Sequence, residues 1–172
     1  KLLGRILRIS SFTMLQYFLS MSTWFIFFVA VERLGEQQLA ISNIIRSIYV
    51  VILIPVNALS TTANSLVSNL IGSGGIKNVS KLVWKIARVS LFIMIILTTF
   101  ISLFPRFILS IYTNNTDLIE GSVSSIYVII VAMLIASVAN IVFSAISGTG
   151  NTRSALWLEV ITLIIYTGYV AI

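Results

Sequence analysis

Five apolar runs, each long enough to cross a lipid bilayer as a helix, constrain this chain more than any other feature. A bilayer core of about 30 Å takes roughly 20 helical residues. Runs of that length cover residues 9–31, 41–70, 82–104, 122–147 and 155–172. The connectors, residues 32–38, 71–80, 105–121 and 148–154, carry turn formers or charges. The pattern predicts an all-α, polytopic integral membrane helix bundle. Composition agrees, because 58% of the chain is hydrophobic and 9% is charged, whereas soluble domains carry about 25% charged residues. The sequence contains no Cys and no His. Disulfides, thiolate nucleophiles, Cys-ligated metals and imidazole bases are therefore excluded. A net charge of +6 does not point to nucleic acid, since the charges are few and fall between apolar runs. The run that follows the basic residues 1–8 is long enough to span and lacks a small-residue cleavage site, so it is read as a span and not a signal peptide. The chain starts at a Lys and stops inside an apolar run, and is read as a fragment.

Charge placement provides an independent check on the spans, because cytoplasmic loops are enriched in Lys and Arg. Eight of the 11 basic residues, namely Lys1, Arg5, Arg8, Lys77, Lys81, Lys85, Arg88 and Arg153, fall at one end of an alternating five-span arrangement. Four of the five acids, Glu32, Glu36, Asp117 and Glu120, fall at the other. The basic face is expected to be cytoplasmic.

A helix lining a wet cavity places its polar residues on one stripe at 3.6-residue spacing. In the second span Asn43, Arg46, Asn57, Thr61, Asn64 and Ser68 fall within an arc of roughly 80° on a continuous helix. The first span has Thr13, Gln16, Ser20 and Thr23, the fourth Ser137, Asn140, Ser144 and Ser147, and the fifth Glu159, Thr162, Tyr166 and Tyr169. The third offers only Ser90, Thr98, Thr99 and Ser102, and is expected to be the most lipid-exposed helix. Such stripes have two readings. They are cavity walls, or they are interhelical glue in which small and hydroxyl residues let helices approach and bond. Three Asn and one Arg on one face of the second span favour the cavity, because they would be costly against lipid. Pro55 in that span is expected to bend it, either as a static kink or as a hinge.

Two ionisable residues lie within spans. Glu159 is six residues past Arg153, about 9 Å along the helix, and is a candidate for proton or Na⁺ coupling or a structural acceptor. Arg46 is a candidate for attracting an anion, for snorkelling, or for a salt bridge with Glu32 or Glu36. Walker A, HExxH and GxSxG motifs are absent. Gly72-Ser73-Gly74-Gly75 lacks the Gly-Lys-Ser/Thr ending of a phosphate loop and is expected to be a flexible cytoplasmic turn. No catalytic constellation is visible, and an enzyme is not expected.

The turn Val31-Glu32-Arg33-Leu34-Gly35-Glu36 leads to Ala40-Ile41-Ser42-Asn43-Ile44-Ile45-Arg46. This stretch, the run from Ile54-Pro55 to Ile71-Gly72, and the segment Ala145-Ile146-Ser147-Gly148-Thr149-Gly150-Asn151-Thr152-Arg153 resemble the second half of MATE (multidrug and toxic compound extrusion) transporters. The likeness covers nearly the whole chain. It implies five transmembrane helices of a six-helix lobe from a twelve-helix transporter, with residues 1–172 as a partial C-terminal lobe that lacks the last helix and the N-terminal lobe. That missing lobe is then the expected partner, together with membrane lipid and small amphipathic substrates.

The resemblance also implies a secondary antiporter that exports amphipathic or cationic drugs and metabolites in exchange for Na⁺ or H⁺ by alternating access. Acids that contribute to coupling in some members fall near Ser20 and Ala136 here, neither of them acidic. Either Glu159 takes part in coupling, or the coupling acids reside in the absent lobe; within this chain Glu159 is the expected coupling residue. The expected substrate cavity comprises Gln16, Tyr17, Ser20, Asn57, Thr61, Asn64, Asn140, Ser144, Tyr166 and Tyr169. No cofactor is expected, and no metal beyond Na⁺ as a coupling ion. The expected location is the bacterial inner (plasma) membrane. The alternatives are a flippase for lipid-linked sugars and a non-transport membrane module that holds a partner.

Overall fold

The computed structural model describes the chain from residue 2 to residue 170, and the side chains within it except those of residues 2–6, 8, 9, 167, 169 and 170. Among these residues every regular element is helical. In chain order the α-helices are α1 (Leu2–Glu32), α2 (Glu36–Ile52), α3 (Ile54–Gly72), α4 (Val79–Leu103), α5 (Pro105–Ser110), α6 (Thr116–Gly148) and α7 (Thr152–Val170), with one 3₁₀ turn at Ile76–Asn78.

The breaks follow local chemistry. Between α1 and α2 the backbone turns through Gly35 at φ 113°, a conformation that costs glycine little and other residues much. Pro55 lies in the first turn of α3. Its ring removes one backbone donor and crowds the carbonyl four residues back. The expected single second span is thus two helices, α2 and α3, bent by 46° across Leu53.

After α3, the amide of Gly75 bonds the carbonyl of Leu70 at 2.8 Å and that of Gly74 bonds Ile71 at 3.0 Å. Gly74 is at φ 82°. The glycine-rich turn thus caps the C-terminal carbonyls of α3, and those two amides are not free to cradle a phosphate. The 105–121 connector contains α5, and α6 begins earlier than expected, where the Asn115 carboxamide oxygen accepts from the amides of Asp117 at 2.9 Å and Leu118 at 3.4 Å.

The long helix α6 is the axis of the bundle, with α2, α3, α4 and α5 packed around it and α3 also packed on α4. Helix α1 packs chiefly on α7, and this pair joins the rest through α1 with α2 and α6 with α7. Three apolar clusters follow one another along the bundle. Ala63, Val67, Ala87, Ile141 and Ala145 fill the basic end, Leu53, Val56, Met94 and Met133 sit at the bend, and Ile45, Ile48, Ile101, Leu109 and Ile126 fill the far end. Small residues at the basic end let α3, α4 and α6 approach closely, as membrane packing requires.

Three helices, Ser10–Glu32, Ile76–Leu103 and Thr116–Gly148, are long and apolar enough to cross a membrane, and the bent α2–α3 pair makes four. Within its described residues α7 is not among them. The large side chains left exposed, such as Phe18 and Phe25 on α1, Phe92 and Ile96 on α4 and Val128 and Ile135 on α6, form the apolar exterior that lipid solvates.

The expectation that the third span would be the most lipid-exposed is corrected. In its most apolar stretch 33% of α4 is buried, against 6% for α1 and 22% for α6. Two of its four polar residues, Ser90 and Thr98, point into the seam, while Thr99 is exposed. Ser90 donates to the carbonyl of Ser137 at 3.1 Å, and buried Thr98 returns its hydroxyl to Met94 at 2.7 Å. At the acidic end Arg106 pairs with Glu120 at 3.0 Å, with side chains 72% and 60% exposed. Solvent screens such a pair. Glu120→Gln is expected to lower the melting temperature of the purified full-length protein by no more than about 2 °C, corresponding to well under 1 kcal/mol.

Candidate functional site

The exposed face of α3 is polar, unlike the other large exposed helix faces. Asn57, Thr61, Thr62, Ser65, Ser68 and Asn69 are all exposed and fall within an arc of about 140°. Val56, Ser60, Ala63 and Val67 turn the opposite way into the core. Such a face is costly against hydrocarbon and cheap against water. Thr61 bonds the carbonyl of Asn57 at 3.0 Å and Thr62 that of Ala58 at 2.9 Å, leaving each hydroxyl oxygen able to accept from a solute.

One edge of that face is tied to α6. The Asn64 carboxamide donates to the carbonyl of Ser144 at 3.2 Å, and the Ser68 hydroxyl to that of Gly148 at 2.7 Å. A Cβ built on Gly148 would lie 2.6 Å from the Asn64 carbonyl oxygen. Asn64 and the Ser144 backbone therefore form an interhelical seam, the glue reading at these two positions. Asn140 donates to the carbonyl of Ala136 on its own helix at 2.9 Å.

The second group lies between α1 and α7. The Ser20 hydroxyl donates to a Glu159 carboxylate oxygen, with both side chains half-buried. On the same two helices Gln16 is half-buried and Tyr17 and Tyr166 are exposed, while the Tyr169 side chain lies outside the described residues. The expected cavity residues thus divide into two sets. Gln16, Tyr17, Ser20, Glu159 and Tyr166 belong to the α1–α7 pair, and Asn57, Thr61, Asn64, Asn140 and Ser144 to the α3–α6 pair. Two recesses are apolar instead. One of about 510 Å³ between α1 and α7 is lined by residues including Leu19, Ile26, Val160 and Leu163, and one of about 250 Å³ lies between α4 and α6.

The salt-bridge expectation for Arg46 is corrected. Among the described residues the one ion pair is Arg106 with Glu120, and the Arg46 guanidinium instead lies 4.9 Å from the centroid of the Phe28 ring. Phe28 stacks on Trp24 at 6.1 Å, and Trp24 meets Tyr49 of α2 at 6.3 Å. The 46° bend at Leu53 sets Arg46 and Asn43 on α2 at an angle to the polar face of α3, and both are exposed. The polar pattern does not show this aromatic cluster; its sign in the sequence is the spacing of Trp24, Phe27 and Phe28 on one face of α1. Nor does that pattern show the close crossing at Gly148, whose sign is Ser144 and Gly148, four apart. Among the described residues no group of three or more His, Cys, Asp or Glu side chains could hold a metal.

The model of one protein family, MatE, matches residues 13–170. No curated protein and no solved structure matches the chain.

Proposed function

The chain belongs to the MatE family, whose members are membrane transporters, and from that premise we propose that it works as part of a secondary antiporter. The transporter exports amphipathic or cationic compounds in exchange for Na⁺ or H⁺ by alternating access. The observation that carries this reading is the exposed polar face of α3, where Asn57 and Thr61 offer hydrogen bonds at membrane depth without a covering helix. Set between apolar exteriors, that face suits the wall of an aqueous path. Glu159 supplies the one acid of the chain away from the acidic end, and Ser20 gives its carboxylate a fixed partner on another helix. A proton or Na⁺ bound there changes what the carboxylate can accept from Ser20. An ion that binds more tightly when α1 and α7 adopt one arrangement thereby favours that arrangement.

The Asn64 and Ser68 bonds to α6 favour a second reading, in which the polar residues serve adhesion alone. Cysteine labelling in the full-length protein separates the two. With a membrane-impermeant thiol reagent, Asn57→Cys and Thr61→Cys are expected to react, and Ser137→Cys, fully buried, is not. Protection of all three positions in every access state would remove the cavity reading. Gradient-driven ethidium efflux from vesicles, with Na⁺ and H⁺ gradients imposed separately, tests transport itself.

A further inference from the structure

We propose that the basic end of α4, together with the exposed apolar side that continues it, forms a binding site for an anionic phospholipid. Lys81, Lys85 and Arg88 are all exposed and fall within about 60° on one side of α4. The same side continues along the helix as Phe92, Ile95 and Ile96, large apolar residues left exposed. The three cations thus stand in line with a lipid-facing surface. Arg88 lies deepest, and its Nε donates to the carbonyl of Trp84 at 3.4 Å, one turn back toward the basic end. This is the direction a cation takes to reach the headgroup layer.

Among the described residues no acid forms an ion pair with these cations, and the one ion pair, Arg106 with Glu120, is at the opposite end of the bundle. Trp84, exposed beside the basic line, also borders the recess of about 250 Å³, whose other walls include Ser80, Val142 and Ile146. A tryptophan at this boundary has its ring in hydrocarbon and its N–H at the headgroups. Charge complementarity fixes the occupant. The phosphate of an anionic lipid from the leaflet at the basic end meets Lys81, Lys85 and Arg88, while its acyl chains run inward along Phe92, Ile95 and Ile96. Cations near a membrane surface attract anionic lipid with about 1 kcal/mol each, close to a fivefold change in occupancy per charge.

The test uses native mass spectrometry of the full-length protein in detergent, with phosphatidylglycerol or phosphatidylcholine of equal chain length. The wild type is expected to retain phosphatidylglycerol at least about tenfold better than phosphatidylcholine. Lys81→Gln, Lys85→Gln and Arg88→Gln combined are expected to abolish that preference, whereas Lys81→Arg with Lys85→Arg preserves it. Phe92→Ser with Ile96→Ser, which removes the apolar contact with every charge intact, is expected to weaken retention severalfold. Equal retention of the two lipids, or a preference that survives the triple replacement, overturns the proposal. Full displacement of phosphatidylglycerol by millimolar inorganic phosphate also overturns it, marking an anion site that needs no acyl chain.

Discussion

Replacing Glu159 by Gln is expected to lower gradient-driven ethidium efflux by roughly 5- to 150-fold, the usual range for losing one coupling interaction, with the protein still present at wild-type levels. The side chain keeps its size, and its remaining oxygen still accepts from Ser20 across the α1–α7 contact. The variant therefore isolates charge from packing, because it loses only the capacity to be ionised. Efflux driven by a pre-formed substrate gradient should survive, since the binding face proposed on α3 does not include this carboxylate. Ser20→Ala makes the complementary change. It keeps the charge and removes the fixed donor, and is expected to raise the ion concentration needed for half-maximal efflux severalfold, with Ser20→Thr restoring it. Wild-type efflux in Glu159→Gln would leave the antiporter reading standing and assign coupling to other residues. Loss of efflux with no change in ion dependence for Ser20→Ala would reduce their bond to a structural contact.

The second large effect is expected at Gly148. A methyl group there would lie 2.6 Å from the carbonyl oxygen and 3.0 Å from the Cα of Asn64, both backbone atoms. The two helices must separate to admit it, and the Asn64–Ser144 and Ser68–Gly148 bonds stretch with them. Gly148→Ala is expected to destabilise the full-length protein by about 1–3 kcal/mol, the cost of overpacking a close contact, read as a lowered melting temperature in detergent. Gly148→Leu should largely prevent accumulation of folded protein. Gly121→Ala provides the contrast. Its added methyl meets the Cδ1 of Ile41 at 2.8 Å, the far end of a flexible side chain, which can rotate away. A melting temperature equal to wild type in Gly148→Ala would mean that α3 and α6 do not cross this closely.

Both predictions draw on contacts that a linear pattern carries only in part. Glu159 was singled out from the sequence as an isolated acid in an apolar run, but its partner was not, since Ser20 and Glu159 are 139 residues apart. The polar stripe of the second span was legible, and its α3 part is the exposed polar face. Its α2 part lies beyond the 46° bend, where Arg46 rests on Phe28 of α1, a neighbour that the stripe does not name. Asn64 shows the same limit in another form. Its residue type and phase match those of Asn57, yet it spends its carboxamide on the α6 backbone because Gly148 brings that helix within reach.

The third span illustrates the reverse error. Few polar residues point to the most lipid-exposed helix, whereas Ser90 and Thr98 lie on the buried side and Phe92, Ile95 and Ile96 on the exposed side. Composition counts residues, while exposure depends on which neighbour each one meets.

From sequence alone came the all-helical membrane class, the positions of the long apolar helices, the turns at Gly35 and Gly74 and the bend near Pro55. All of these arise from short-range terms, namely apolar length against bilayer thickness and backbone freedom residue by residue. The tertiary structure alone decided that α6 is the axis, that α1 partners α7, that Ser20 meets Glu159 and that Arg46 rests on Phe28. Lipid drives helices together only weakly, because its tails are as apolar as the side chains. The choice of neighbours therefore falls to close backbone approach and a few polar bonds. Those depend on groups distant in sequence, and helical periodicity carries no record of which distant helix supplies them.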